Sequence, residues 1–368
     1  LRKFSLKNKL IKLAKEFLAQ ALTYSMLARE ARMEVVSLAH GAGGAESQAL
    51  LEEVFSKLFK LKKVADGVGL DDMDDSASIP VGDDLHVAVK VDSYTVKPIF
   101  FPGGDIGKLA ITGTVNDLVV FGAKPLAILD AMVVEEGFLL DELKKILSSM
   151  RAVAEAENVA LIGGDFKVMP RGSIDKVVIS TVGVGLVHKK RILLDSNLRP
   201  GDKLIISGSI GEHGAAILAA QLDIQSSIIS DCSTLTKVME AALSIGGVHA
   251  ANDPTRGGLA MALNNMARKS GLSIIVEEDK IPVKDEVRAL AEMAGIDPLA
   301  LACEGRALLA VEAGKAEEVL EAIRKVSPDA SIIGEAVKLK EGYVFMKTVV
   351  GGLRVVEPPR GELVPRIC

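Results

Sequence analysis

The sequence predicts an α/β (α+β) protein built as two domains, on three observations. β-Branched runs alternate with helical stretches along most of the chain. A length of 368 residues with 49% apolar content is enough for two ordinary cores. Midway, the stretch "HKKRILLDSNLRPGDK" gathers charge, Asn, Pro and Gly, as domain boundaries do.

Taken in order, residues 1–35 stand apart. Residues 1–32 carry eight Lys/Arg against two Glu, a net +6 in a chain of overall charge −5. Leu10, Leu13, Ala14, Phe17, Leu18, Ala21 and Leu22 fall on one face at helical spacing, which predicts a basic amphipathic helix. Lys12, Lys15 and Glu16 break the apolar core that a signal peptide needs. The stretch reads as an extension ahead of a functional chain beginning at Met33, in preference to a membrane or partner helix.

Residues 36–187 form the first predicted domain, with strands at 86–92, 126–135, 159–163 and 177–187 and helices at 45–60, 107–121 and 141–157. Residues 188–350 form the second, with strands at 203–208, 273–277, 307–312 and 331–336 and helices at 257–270, 284–294 and 316–326. From Gly351, three prolines and three glycines in "GGLRVVEPPRGELVPRIC" disfavour helix and central strand, which predicts a mobile tail ending in Cys368. Cys232, Cys303 and Cys368 are far apart and form no C-x-x-C pair, so neither a disulfide framework nor a structural zinc site is indicated, as suits the cytoplasm. No apolar run reaches the roughly 18 residues of a membrane span. The absence of Trp, with three Tyr, argues against a stacking surface for single-stranded nucleic acid.

The first half holds the chemistry. "DDMDDSA" supplies Asp71, Asp72, Asp74 and Asp75, the strand "VAVKVD" ends on Asp92, and "TVNDL" and "LIGGDF" add Asn116, Asp117 and Asp165. Carboxylates gathered at strand ends repel one another unless a cation lies between them, and magnesium with a polyphosphate resolves that conflict; the alternative is a set of solvated turns. "HGAGGAES" and "FPGGDIGK" each place consecutive backbone N–H groups before a helix, where phosphate binds. Neither is a Walker A loop, since Pro102 stands where Gly is required and Leu109 where Ser or Thr is required. Lys108, one turn into its helix, either neutralises a transferring phosphoryl group or is an exposed structural lysine.

The segments "HGAGG" (40–44), "FFPGGDIGKLAITGTVNDLVVFGAKPL" (100–126), "GGDFKVMP" (163–170), "GSIGEHGAAIL" (208–218), "NDPTRGGLA" (252–260), "CEGRALLAV" (303–311) and "PRIC" (365–368) resemble a known family. It includes aminoimidazole ribonucleotide synthetase, selenophosphate synthetase and thiamine-phosphate kinase, and the nearest branch is the hydrogenase-maturation HypE family. The resemblance covers about residues 36–368, and the second segment and the ending are its most specific parts.

It implies a PurM-like (AIR synthetase-like) fold, a homodimer formed through the first domains, and ATP with Mg2+ held by aspartates. It implies, further, that a carbamoyl group placed on Cys368 by the carbamoyltransferase HypF is dehydrated with ATP to a thiocyanate. The cyanide then passes through HypC and HypD to the iron of a [NiFe] hydrogenase. In this reading the 12 residues 357–368 span up to about 40 Å when extended, and Arg366 offsets the effect of the terminal carboxylate on the Cys368 thiol. Asp74, Asp75, Asp92, Asp117 and Asp165 are the implied metal ligands, with the register between Asp71 and Asp75 left open. His40, Gly43, Gly44, Gly103, Gly104, Asn116, Gly164 and Arg256 are the implied ATP and phosphate contacts, with helix capping the alternative for Arg256. Cys368, Lys108 and Glu304 are the implied catalytic groups, Glu304 as general base or, failing that, as a cap or ion-pair residue. His213, Cys232 and Cys303 read as structural.

Rival readings are weaker. A selenophosphate synthetase calls for a reactive Cys near the amino terminus, and the first here is Cys232; a thiamine-phosphate kinase leaves "PRIC" unexplained. A cyanide carrier or scaffold without ATP hydrolysis is opposed by the aspartates, Lys108 and Glu304.

Overall fold

The computed structural model describes residues 35–361 and Pro365. The predicted basic helix, Arg366 and Cys368 lie outside the described residues.

The first half opens with α1 (Ala45–Leu50), continued by a π-helical turn over Leu51–Ser56. Then come β1 (Ala77–Pro80), β2 (Leu85–Tyr94), the small hairpin β3 (Phe100–Phe101) and β4 (Gly104–Asp105), and α2 (Ile106–Val120). β5 (Lys124–Glu135), α3 (Leu140–Ala156), β6 (Ala160–Met169) and β7 (Val177–His188) complete it. The sheet runs β1-β2-β7-β5-β6, antiparallel except for the β5–β6 pair, whose α3 crossover a parallel pair requires. The Asp105 side chain caps α2 by accepting from the N–H groups of Gly107 (2.8 Å) and Lys108 (3.0 Å). A Cβ at Gly107 would lie 2.4 Å from the Ile146 carbonyl oxygen, so glycine lets α2 and α3 touch.

The second half carries β8 (Lys203–Ile206), α4 (Glu212–Gln221), α5 (Thr236–Ile245), β9 (Val248–Asn252), α6 (Gly258–Ser270), β10 (Ser273–Glu277), α7 (Asp285–Ala294) and β11 (Leu308–Val311). α8 (Ala316–Arg324), β12 (Ser331–Val337), β13 (Val344–Lys347) and β14 (Leu353–Val355) follow. Its sheet runs β14-β13-β10-β12-β8-β11-β9. One apolar cluster joins Ile106, Leu109 and Val115 of α2 to Ile205, Leu309 and Val319, so the two halves share a core.

Three expectations are corrected. The strand ending at Gly163 continues to Met169, because β6 pairs with β5 through Gly163 and Gly164. Asp92 likewise lies inside β2 and not at its end. The stretch from Gly351 begins as chain built into the body: β14 pairs with β13, Val356 is buried, and Ala45 N–H donates to the Pro359 carbonyl (2.9 Å). Pro365 is buried as well.

Candidate active site

The site lies where the halves meet. Successive β2 side chains alternate faces, so Lys90 and Asp92 both point toward α2. There they meet the buried Asp117, near the end of α2, and Lys90 Nζ lies 2.8 Å from Asp117 and 3.4 Å from Asp92. Asp75 comes from the loop before β1 and Asp253 follows β9 in the other half. Carboxylate oxygens of Asp75, Asp117 and Asp253 all lie within 4.8 Å of one another. Asn252 Nδ2 donates to both oxygens of Asp75, at 3.2 and 3.1 Å. Asp253 Oδ2 is buried with no hydrogen-bond partner among the described residues.

Gathering these groups perturbs them strongly. Burial, then the charges of Asp253 and Asp74, push Asp75 well above the ordinary carboxylate range. Asp117 moves the same way, burial first, with Lys90 opposing and Asp253 and Asp92 adding. Burial brings Asp253 to about 6 against the pull of Lys90. Asp92 is partly buried, which pushes it up, yet Lys90, the hydrogen bond with Asp117 and the charge of Arg256 together hold it low. Lys90 stays firmly protonated: burial disfavours its charge, and Asp117, Asp92 and Asp75 overcome this. An all-oxygen donor set with an orphaned buried carboxylate oxygen suits a hard divalent cation such as magnesium or manganese.

Glu304 stands beside this centre. It is 3% exposed, and burial, followed by the charges of Asp253, Asp231 and Asp92, raises it well above its usual value while Arg256 pulls it down. Its backbone is held on both sides: its N–H donates to Asp231 Oδ1 (3.1 Å) and its carbonyl accepts from Ser233 N–H (3.2 Å) and Asn116 Nδ2 (3.3 Å). The Lys108 ammonium donates to the Gly103 carbonyl (2.8 Å), and its charge and that of Glu304 both act on the buried Cys232 thiol, in opposite directions. Arg256 donates to the Gly41 carbonyl (3.2 Å) and acts electrostatically on both Asp92 and Glu304.

Known proteins share this framework. The AIR synthase related protein family matches with its N-terminal domain over residues 73–187 and its C-terminal domain over residues 199–347. A hydrogenase expression/formation protein of Methanocaldococcus jannaschii is 46% identical over 334 residues, 89% of this chain and 98% of that one. A carbamoyl dehydratase HypE of Rhodobacter capsulatus is 43% identical over 343 residues, 92% of this chain and 99% of that one. The chain belongs to the HypE family. Among solved structures, a HypE–HypF complex superposes with a TM-score of 0.78 at 40% identity, covering 84% of this chain and 100% of that one. A HypE in complex with ATP gives 0.74 at 36% identity, covering 91% and 100%.

Within this HypE-family chain, geometry sorts the sequence-predicted residues. Asp75, Asp92, Asp117, Glu304, Arg256 and Lys108 converge on the junction. Asp74 does not: its carboxylate accepts from Asp195 N–H (3.1 Å) and faces Lys269 (3.3 Å). Asp165 is exposed on β6 and ion-paired with Lys167, with β5 and β7 between it and β2, a separation of about 14 Å at about 4.8 Å per strand. Asn116 is fully used as a bracket between the halves, its Nδ2 donating to the Ser233 and Glu304 carbonyls and its Oδ1 accepting from Leu235 N–H.

The glycine loops also serve packing. A Cβ at Gly43 would sit 2.3 Å from Arg256 Cβ, and one at Gly44 would sit 2.4 Å from the Pro359 carbonyl oxygen. His40 Nδ1 accepts from Ser37 N–H (2.9 Å) within its own turn. Gly103 leaves room for the Ser230 backbone, Gly104 packs on the Lys108 stem, and Gly164 clears the Asp130 carboxylate. Cys368 lies outside the described residues. Sequence reasoning missed Lys90 and Asp253. The i, i+2 spacing of Lys90 and Asp92 in an apolar strand was the signal for the first, and the "NDPTRGG" segment contained the second.

Proposed function

We propose that the chain uses ATP to dehydrate an S-carboxamide on Cys368 to a thiocyanate, the source of the cyanide ligand for the iron of a [NiFe] hydrogenase. The observation that carries this reading is the convergence of Asp75, Asp117 and Asp253 beside Glu304, in a chain 43% identical to a carbamoyl dehydratase. Oxide is too poor a leaving group for spontaneous loss of water. Transfer of the γ-phosphoryl group to the carboxamide oxygen, with loss of one N–H proton, converts it to phosphate. Removal of the second N–H proton then expels phosphate and forms the C≡N bond. The net change is one water lost from the cysteine adduct, with ATP becoming ADP and phosphate.

Asp75, Asp117 and Asp253, with Asp92 adjacent, are the residues that hold Mg2+, which offsets the charge of the phosphates when bound. Lys108 and Arg256 steady the transferring phosphoryl group, and Glu304 takes the N–H protons. Residues 36–187 and 188–350 act as the two domains that enclose ATP, and residues 351–368 deliver Cys368. From Gly361, which donates to Glu46 (3.1 Å), seven residues lead to Cys368 and span at most about 25 Å.

The HypE–HypF complex among the relatives supports HypF as the partner that loads the thiol. In this proposal HypC and HypD are the acceptors, in the cytoplasm. Among the described residues, no helix is long and apolar enough to cross a membrane. Leu161, Ile162, Phe166 and Val168 are exposed on β6, which supports a homodimer formed over that strand; such packing is also the route by which Asp165 can meet an acidic centre. Mass spectrometry of the carbamoylated protein incubated with ATP and Mg2+ tests the reading. Loss of one water from the Cys368 peptide is expected, and an unchanged adduct with intact ATP refutes it.

A further inference from the structure

We infer that Lys269 and Asp195 are positioning residues for the acidic centre, holding the loop 73–75 so that Asp75 reaches Asp117 and Asp253. This rests on the cation-binding reading given above. The Lys269 ammonium, near the end of α6, donates to the Met73 carbonyl (2.5 Å) and lies 2.8 Å from Asp195 and 3.3 Å from Asp74. Asp195 N–H donates to Asp74 Oδ2 (3.1 Å), and the other oxygen of Asp74 accepts from Asp75 N–H (3.2 Å). The side chains of Asp74 and Asp195 are 2% and 0% exposed, and that of Lys269 is 12% exposed.

The three charges come from three parts of the chain. Asp74 belongs to the first half, Asp195 to the connection between halves, and Lys269 to the second half. They tie down the residues directly before Asp75, while Asn252 grips its carboxylate and Ser76 Oγ donates to the Asp117 carbonyl (3.1 Å) on the far side. Met73 has φ +46°, a left-handed conformation that a residue with a side chain keeps only where its surroundings impose it. The Lys269 bond to its carbonyl is a contact made at that residue. Desolvation cancels much of the attraction in a buried ion cluster, so the gain here is in geometry. Without Lys269, Asp74 and Asp195 are two buried carboxylates that repel, and the loop leading to Asp75 shifts.

Mn2+ titration of the full chain, followed by the EPR signal of free ion with and without ATP, tests this. Wild type, Lys269→Met, Asp195→Asn and Asp253→Asn are compared with Lys203→Met, which removes a surface pair with Glu335. The proposal expects Mn2+ affinity to fall at least tenfold in Lys269→Met and at least threefold in Asp195→Asn, measured on protein shown to be folded by circular dichroism, with Lys203→Met unchanged. A Lys269→Met protein that is less stable but binds Mn2+ within twofold of wild type overturns the positioning role. If that variant does not fold, Asp195→Asn decides by the same criterion. Failure of wild type to bind Mn2+, or equal binding by Asp253→Asn, overturns the cation-site reading itself.

Discussion

Replacing Glu304 with Gln separates chemistry from structure at the proposed base. The carboxyl is 3% exposed and its proton is held well above the ordinary glutamate value of 4.5, first by burial and then by Asp253, Asp231 and Asp92. In its protonated form the native side chain is a neutral group of nearly the same shape as glutamine. Its backbone contacts to Asp231, Ser233 and Asn116 do not involve the side chain, so the loop stays in place.

Removing a general base costs about 100- to 10,000-fold in kcat, or about 3–5 kcal/mol at about 1.4 kcal/mol per tenfold. The sign for stability is opposite. The native chain keeps a proton that the unfolded chain releases above 4.5, so Glu304 weakens folding as pH rises from there toward its own raised value. Glu304→Gln is thus expected to equal wild type in urea denaturation near pH 4 and to match or exceed it at pH 8. Wild-type kcat, which needs the ionised base, rises across the same window. ADP release from carbamoylated protein gives the rate. A variant within threefold of wild-type kcat, or one markedly less stable at pH 8, refutes the assignment.

Other outcomes follow from the same geometry. Lys90→Met leaves Asp92 and Asp117 without their buried cation, so stability falls by about 3–5 kcal/mol; urea denaturation with and without Mg2+ should show the ion restoring about 2.7 kcal/mol at a hundred times its dissociation constant. Because Asp253 is raised to about 6 and Asp75 and Asp117 are raised as well, a cation must displace protons; Mn2+ affinity should climb as pH rises through 6, with proton release visible as a buffer-dependent calorimetric heat. Gly43→Ala puts a Cβ 2.3 Å from Arg256 Cβ at φ +82° and should lower stability by about 1–3 kcal/mol, read from the urea midpoint, while raising KM for ATP through the displaced guanidinium.

Much of the architecture was legible because it is local. The alternation in β2 and β7 and the capped, apolar α2 follow from residue order alone, and their expected spans match within a few residues. Missed elements lacked a local signal. Among the described residues, Glu212 to Ala219 of α4 are buried on every side, so no polar face marks the helix period. β14 is three residues long between glycine and proline and exists only because β13 offers it an edge.

By itself, then, the order of residues determined the two α/β halves, the acid-rich loops, the glycine punctuation and the family. Tertiary structure decided which acids act together. Asp74 and Asp75 are neighbours in sequence, yet Lys269 claims the first and Asp117 with Asp253 surround the second. Asp253 joins from the other half, while Asp165, in an apparently better motif, stays three strands away. The reason is that Coulomb energy and desolvation depend on distance in space and on exclusion of water, and both are fixed only when the shared core brings the halves together.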